Sequence, residues 1–241
     1  MFHLSRRQIL NNKGIKTVAE KILFSWSGGK DSALALNSLL QNKDLEIVSL
    51  ITTVTADYDR ISMHGVRREL LEKQAENIGI PVEQISISKN SSNEEYETKM
   101  KAVLLRYKSE GVTSVTFGDI FLEELKKHRE ENLAKIGMKG IFPLWKQKSY
   151  ILARKFIDLK FKAVITCVDS KKLDGKFCGR EFDESLLSEL PKDVDYCGEN
   201  GEFHSFVYAG PIFKKEIPVK KSDIVLRDEQ FYFCDLIEIV K

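Results

Sequence analysis

Short apolar segments alternate with amphipathic segments along most of the chain. The apolar segments have the length of buried strands, and the segments between them repeat their apolar residues with a helical period. In the segment 65–79, for example, Leu71, Ala75 and Ile78 share one face, and Gly79 is suited to end a helix. The pattern predicts strands at 21–26, 45–54, 82–88, 112–117 and 162–168, and helices that begin at Asp31 or span 65–79, 93–111, 122–137 and 149–159.

This alternation predicts right-handed βαβ units, and therefore a parallel, Rossmann-like sheet covered by helices on both faces. Past residue 170 glycine, cysteine and proline become more frequent, and the helical segments become short. The segment 223–240 predicts a hairpin that turns near 227–229. We therefore predict an α/β protein with a flexible leader at 1–19, a first domain at 20–170 and a smaller α+β domain at 171–241.

Composition narrows the functional classes. The 241 residues include 38 basic and 36 acidic side chains, and this near balance argues against a dedicated nucleic-acid binder. No apolar stretch approaches the ~20 residues of a membrane span, and the start of the chain lacks a signal-peptide pattern. The four cysteines contain no CxxC pair, which predicts reduced thiols in a cytoplasmic protein.

The segment SGGKDS at 27–32 stands between a predicted strand and a predicted helix. Glycines let a backbone approach a ligand closely, and a helix start directs free N–H groups and about half a positive charge at that ligand. Lysine adds a full charge and the serines add hydroxyl donors, so the segment predicts a phosphate site. Its spacing differs from GxxxxGK[ST] and from GxGxxG. The residues are Ser27, Gly28, Gly29, Lys30, Asp31 and Ser32.

Two charged residues extend this site. Gly118 and Asp119 follow a predicted strand, at the edge of the sheet where α/β proteins bind ligands, and Asp119 could help to hold Mg²⁺ or could cap a helix. Arg129 falls on the apolar face of helix 122–137, so we expect it to meet phosphate, to pair with an acid such as Asp119, or to extend to water at the sheet edge.

A polar cluster lies within DYCGENGEFHSFVYAGPIF at 195–213, where aromatic residues also alternate as in a strand. Clustered carboxylates can bind ammonium, coordinate Mg²⁺ or act as a base, although a plain polar hairpin loop would have a similar composition. His64 precedes helix 65–79 and could contact nucleotide or substrate, or only cap the helix. The cluster comprises Gly198, Glu199, Asn200, Gly201, Glu202 and His204.

SGGKDS resembles the pyrophosphate loop (PP-loop) of the N-type ATP pyrophosphatases. Together with MHGVR, FGDI, FPLW and CGENGEFHSFVYAGPIF, it resembles the diphthine–ammonia ligase family over about residues 20–213. The resemblance implies a Rossmann-like, HUP-type ATP-binding domain at 20–170 and a substrate-binding domain at 171–241. It also implies an AMP-forming ligase that amidates a carboxylate through an acyl-adenylate, with ATP, Mg²⁺ and ammonium. The implied acceptor is elongation factor 2 where diphthamide is made, and a homodimer is compatible with the sequence.

The resemblance also implies roles for the candidate residues. Ser25, Thr52 and Thr53 would frame the adenosine, and the loop would grip the β- and γ-phosphates. Lys30, Arg129 and Asp119-bound Mg²⁺ would stabilise the departing pyrophosphate. Glu199, Asn200 and Glu202 would place ammonia and the acceptor, with Gly198, Gly201, His204 and His64 beside them.

Two other functions remain open from the residues alone. A tRNA-thiolating enzyme shares this kind of loop but needs a reactive cysteine, for which Cys167 and Cys178 are the candidates. A non-enzymatic nucleotide-binding protein would need the loop but not the polar cluster at 195–204.

Overall fold

The computed structural model of the chain describes residues 18–61 and 65–239. Within these ranges the chain forms two β-sheets with helices packed against them. In chain order the elements are β1 (Glu20–Ser25), α1 (Lys30–Leu39), β2 (Leu45–Thr55), β3 (Arg60–Ile61), α2 (Arg68–Ile78), β4 (Val82–Ile87), α3 (Asn93–Ser109), β5 (Ser114–Thr116), α4 (Glu123–Lys135), β6 (Lys139–Ile141), α5 (Ser149–Asp158), β7 (Lys162–Asp169), α6 (Glu184–Glu189), β8 (Phe203–Ala209), β9 (Val219–Arg227) and β10 (Phe231–Glu238).

The first sheet is the predicted parallel, Rossmann-like sheet. β1 is its centre, flanked by β2 and β5; β4 continues the sheet beyond β2, and β6 continues it beyond β5. Ile22, Leu23 and Phe24 of β1 are all buried, as expected of a strand covered on both faces. The short β3 runs antiparallel to the end of β2. Neither β3 nor β6 was predicted, because two or three residues carry no periodic signal.

The second sheet corrects the expected place of the strand at 162–168. That strand is present as β7, but it pairs antiparallel with β8 and β10, giving the order β8-β7-β10-β9. The sequence could not distinguish these placements, because a continuous apolar run suits a buried strand in a parallel or an antiparallel sheet. The change from parallel to antiparallel pairing therefore comes before β7 and not near residue 170. The predicted hairpin is present as β9 and β10.

One apolar core joins the two sheets. It contains Ile22 and Phe24 from β1, Leu36 from α1, Phe156 from α5 and Phe206 from β8. Helix α1 therefore lies between the sheets, and its first residues, which follow the loop 27–32, are near both. Gly79 ends α2 in the left-handed conformation, as its sequence position predicts.

The described residues include no helix that combines the length and the apolarity needed to cross a membrane. The predicted leader at 1–19 lies outside the described residues except for its last two positions.

Candidate active site

The loop 27–32 turns from β1 into α1 through two glycines. Gly28 has a φ of +77°, a left-handed conformation that favours glycine, and Gly29 is the extended residue before the helix. The two serines hold the turn from inside: the Ser32 hydroxyl donates to the Gly29 carbonyl at 2.8 Å, and the Ser27 hydroxyl donates to Ser32 Oγ at 3.1 Å. The free N–H groups at the start of α1 are thus presented by a preformed loop.

Residues from other elements hold this loop from outside. The Gln74 side chain on α2 is fully buried and donates through Nε2 to the Gly28 carbonyl at 3.0 Å and to the Val207 carbonyl at 2.6 Å. Its Oε1 accepts a hydrogen bond from Trp26 Nε1 at 3.0 Å. The Val207 amide on β8 donates to the Gly28 carbonyl at 2.9 Å, so helix α2 and the second sheet both fix the loop.

Sequence reasoning missed Gln74, although a signal for it was present. It lies on the apolar stripe of the helix predicted at 65–79, together with Leu71, Ala75 and Ile78. A lone amide on a stripe of apolar residues is costly to bury unless its donors and acceptor are satisfied.

Lys30 is more enclosed than the sequence suggested. Its side chain is only 3% exposed, and its ammonium lies 2.8 Å from Asp31 Oδ2 and donates to the Cys197 carbonyl. The Lys30 amide donates to Ser205 Oγ at 3.2 Å. Burial disfavours the ammonium, but the nearby carboxylates outweigh this and raise the pKa of Lys30. The lysine therefore ties the loop 27–32 to the second sheet and to the segment 195–202.

A cavity of about 550 Å³ opens above the loop. It lies at the carboxyl edge of the parallel sheet, where α/β proteins bind ligands. Gly28 and Glu202 are not on its wall, and His64 lies outside the described residues. The predicted residues that line it are Ser25, Ser27, Gly29, Lys30, Asp31, Ser32, Thr52, Thr53, Gly118, Asp119, Arg129, Gly198, Glu199, Asn200, Gly201 and His204.

One side of this cavity is apolar and was not predicted. Tyr96 and Met100 of α3, Phe117 after β5, and Leu122 and Leu125 near the start of α4 form it. Thr52 and Thr53 of β2 lie on the wall of the same cavity. The site therefore offers both an apolar surface and hydroxyl groups, and this combination suits a planar heterocycle with polar edges.

Three carboxylates meet at the cavity, from Asp31, Asp119 and Glu199. Burial raises the pKa of all three, and the negative charges of neighbouring carboxylates add to the effect. For Glu199 the pKa rises to about 7. Asp31 Oδ1 is buried without a hydrogen-bond partner. Such a group of acidic oxygens is stabilised by an added cation.

Arg129 pairs with one of these acids, which is one of the alternatives that the sequence left open. Its Nε lies 2.9 Å from Asp119 Oδ2, and its guanidinium stacks 4.2 Å from the centre of the Phe117 ring. Among the described residues, no group of three or more histidine, cysteine or acidic side chains could hold a metal ion alone. The acids here would need further oxygens, such as those of a phosphate, to complete a Mg²⁺ shell.

The segment 195–202 is held by two acids, the half-buried Asp195 and the buried Glu202. Asp195 accepts hydrogen bonds from the amides of Cys197 at 2.9 Å and Glu199 at 3.2 Å, and also from the Ser149 hydroxyl. Glu202 Oε1 accepts from the Asp195 amide at 3.1 Å and from Asn200 Nδ2 at 3.1 Å. Asp195 was not predicted, and Glu202 lies behind the wall, so it shapes the segment and does not face the cavity.

This arrangement brings Glu199 across to the parallel sheet. Its Oε1 accepts hydrogen bonds from the amides of Ile120 at 2.7 Å and Phe121 at 3.4 Å, just after β5. Glu199 is thus fixed opposite Asp31 and Asp119 by a contact between the two halves of the chain.

Neither cysteine proposed for sulfur transfer is in a reactive setting. Cys167 and Cys178 are buried, and burial raises the pKa of each thiol to about 12. The thiolate is the nucleophilic form, so both are inert at neutral pH.

Comparisons with known proteins agree with this architecture. The sequence model described as "Diphthamide synthase N-terminal domain" matches residues 20–140, and the "Diphthamide synthase C-terminal domain" matches residues 148–239. The gap between them falls between β6, which ends at Ile141, and α5, which begins at Ser149. The first match therefore ends with the parallel sheet, and the second contains all four strands of the antiparallel sheet.

Curated relatives and solved structures also match the chain. The human diphthine–ammonia ligase is 28% identical, over 83% of this chain and 83% of its own, and that of Bos taurus is 28% identical, over 83% and 82%. The Schizosaccharomyces pombe diphthine–ammonia ligase is 27% identical over 85% of this chain but only 37% of its own. A solved structure described as a predicted subunit of tRNA methyltransferase from Methanocaldococcus jannaschii covers 82% of this chain and all of its own, with 16% identity and a TM-score of 0.41. With the two domain models matched in order along nearly the whole described chain, the protein belongs to the diphthamide synthase family.

Proposed function

We propose that the protein is an ATP-dependent ligase that forms an amide from a carboxylate and ammonium and releases AMP and pyrophosphate. We further propose that its acceptor is diphthine, the substrate in the names of its relatives, and that this diphthine is carried by elongation factor 2, as the sequence resemblance implies. The observation that carries the proposal is the single cavity that contains both the loop 27–32 and Glu199. A nucleotide-binding protein without chemistry would have no need to bring the segment 195–202 to the phosphate site.

ATP would bind along the cavity from the apolar side to the loop. The adenosine would rest near Tyr96 and Phe117, with Ser25 and the β2 threonines at its edges. The β- and γ-phosphates would accept hydrogen bonds from the free N–H groups at the start of α1. Ser27 and Ser32 would keep the turn in shape, because their hydroxyls donate within the loop. In this proposal the parallel-sheet half binds the nucleotide and the antiparallel half supplies the acceptor side.

The acidic oxygens of the cavity fit Mg²⁺. Asp31 and Asp119 would hold it, because Asp31 Oδ1 is buried without a partner and burial disfavours both charged carboxylates. When bound, Mg²⁺ would neutralise negative charge on the phosphates and make pyrophosphate a better leaving group. Lys30 would hold Asp31 in place and would not itself reach the phosphates, since its ammonium is bound within the protein.

The chemistry would take two steps. An oxygen of the acceptor carboxylate attacks the α-phosphorus, and the bond to the β-phosphate oxygen breaks, so pyrophosphate leaves with the electron pair. Arg129 and the start of α1 stabilise the negative charge that develops. Glu199, whose pKa lies near 7, takes a proton from ammonium. Ammonia then attacks the acyl carbon, its nitrogen loses a second proton to solvent, and AMP departs with the electron pair of the broken carbon–oxygen bond.

The test is an assay with ATP, ammonium and purified elongation factor 2 that carries diphthine. We expect AMP and pyrophosphate to form in step with the amide, and only when all three substrates are present. Asp31→Asn should lower kcat/KM by about 10²-fold or more, the scale of losing one charge-organising group. Asp44→Asn changes an exposed carboxylate at the opposite edge of the sheet and should leave the rate unchanged.

Three results would contradict the proposal. ADP in place of AMP would exclude cleavage between the α- and β-phosphates. AMP formation that does not depend on ammonium would exclude amidation. Transfer of labelled sulfur to tRNA would support the thiolating alternative in its place.

A further inference from the structure

A second cavity of about 510 Å³ lies beside the first one. It is enclosed by the end of β2, the short β3 and the hairpin of β9 and β10. Its walls are largely aromatic and aliphatic, with Tyr58, Ile61, Val225, Phe231 and Phe233 among them. The reaction steps described above use none of these residues, so the cavity has no assigned ligand.

The two cavities share part of their walls. Ile61 and His204 line both of them. A group bound in the second cavity therefore lies next to the chamber that contains Glu199 and the loop 27–32. A substrate that enters by the second cavity could reach the first without displacing the nucleotide.

The walls of the second cavity carry charges of both signs, with cations in a small excess. Arg60, Lys89 and Arg227 line it, against two carboxylates, Asp228 and Asp235. Asp235 is already bound by Arg60 at 2.8 Å. In the described part of the chain, the ammonium of Lys89 and the guanidinium of Arg227 instead lie over aromatic rings, 5.3 Å from the centre of Tyr58 and 5.7 Å from that of Phe233. Their charges would attract an anionic group to the entrance.

The entrance also exposes apolar surface. Tyr58 is 45% exposed and Val225 is 39% exposed, and both line the cavity. Exposed apolar groups around a cationic pocket suit a side chain that is presented by a protein, with an apolar stem and an acidic end.

We infer that this second cavity receives the acceptor: a carboxylate-bearing side chain on a protein surface, whose stem packs against Phe231 and Phe233 and whose carboxylate passes Ile61 and His204 into the first cavity. The inference rests on the proposed amide-forming function. It adds the route by which the carboxylate reaches the nucleotide and the side of the molecule on which the acceptor protein docks.

The test fills the cavity from its exposed edge. Val225→Trp places a large ring in the cavity without changing the buried core, and Arg227→Glu reverses a charge on its wall. Leu226→Trp is the matched control, because Leu226 is 50% exposed, is adjacent on β9 and does not line the cavity. Lys220→Glu is the control for charge on the same strand. Amide formation is measured with elongation factor 2 that carries diphthine.

We expect Val225→Trp and Arg227→Glu to raise the KM for the acceptor by tenfold or more and to change the KM for ATP by less than twofold. Both controls should match the wild type.

If both test variants keep the wild-type KM for the acceptor while the wild type forms amide, the inference is wrong and the proposed function stands. If the wild type neither binds nor amidates the factor, both are wrong. If Val225→Trp abolishes binding of tRNA and leaves amidation intact, the cavity belongs to a nucleic acid and the inference is overturned.

Discussion

Glu199 shows how the site sets the acidity of one residue. Burial, together with the charges of Asp31 and Asp119, raises the pKa of Glu199 to about 7, although hydrogen bonds from the amide of Ile120 act in the other direction. A carboxyl group in this range can accept a proton from ammonium and release it again near neutral pH. The same shift means that ionisation of Glu199 lowers the free energy of unfolding.

Glu199→Gln tests both effects. Between about pH 4.5 and pH 7 the native carboxyl group binds more protons than the unfolded one, so wild-type stability falls as pH rises through this window. Relative to the wild type, the variant should therefore gain roughly 1 to 3 kcal/mol in its free energy of unfolding between pH 5 and pH 8, measured by urea denaturation. Amide formation should lose its rise with pH near 7 and slow by about 10²-fold. A stability difference that does not vary with pH would contradict the shifted pKa.

Gly118 is a second residue whose identity follows from geometry. A Cβ at this position would lie 3.1 Å from the Asp31 carbonyl carbon and 3.1 Å from the Ser32 amide nitrogen, both of which belong to the backbone of the loop 27–32. The backbone cannot move away without displacing the start of α1.

Gly118→Ala should therefore weaken ATP binding by tenfold or more, with a stability loss of about 1 kcal/mol. ATP affinity is measured by calorimetry. Gly111→Ala is the control: its φ of +93° makes the change strained, but no atom lies within 4 Å of the added Cβ. It should lower stability and leave ATP affinity intact. Equal ATP affinity in both variants would show that the close approach at Gly118 is unimportant.

At the scale of elements, the second sheet is bound to the first by an ion-pair network around Asp235. This residue of β10 accepts from Arg60 of β3 at 2.8 Å and from Arg67, just before α2, at 2.7 Å. Burial disfavours its charge, but the two arginines outweigh that and lower the pKa of Asp235 to about 2. The network closes the side of the molecule on which the second cavity lies.

Asp235→Asn should lower the free energy of unfolding by about 1 to 2 kcal/mol at pH 7. A lowered pKa gives a contribution that is fully present above the ordinary value of 3.8 and is lost as pH falls through about 2, so the difference should shrink in acid. Denaturant titrations at pH 7 and pH 3 measure it. Asp228→Asn, in the exposed turn between β9 and β10, should have little effect at either pH. A constant difference at both pH values would argue for lost packing and not for lost charge pairing.

For the whole molecule, the periodicity of the sequence was enough to predict most of the elements. The parallel sheet, the loop 27–32 and the β9–β10 hairpin follow from local patterns, and each is present. The position of β7 was not available from the sequence, because its apolar run fits either sheet. The sequence of a single strand does not show which distant strand of the chain it pairs with.

The candidate site was also predicted only in part, because local sequence patterns revealed some of its residues and distant contacts fixed the others. The residues of the loop 27–32 were predicted because glycine, serine and lysine at this close spacing, between a strand and a helix, are typical of a phosphate site. The inward position of the Lys30 ammonium depends on the Cys197 carbonyl, which is 167 residues away, and the support from Val207 is 133 residues from Gln74. In the sequence, Asp195 cannot be distinguished from an ordinary polar loop residue. Its role follows from the structure, in which it accepts hydrogen bonds from three partners.

The hydrogen bonds from Gln74 and Val207 to the Gly28 carbonyl have a consequence for evolution. Because β8, from the other half of the chain, completes the support of the loop 27–32, the two halves must change together among relatives. Consider a hybrid that joins this N-terminal half to the C-terminal half of a distant relative. It would keep every residue of SGGKDS, yet we expect its affinity for ATP to differ. Changes in acceptor preference and in nucleotide handling should therefore be inherited together.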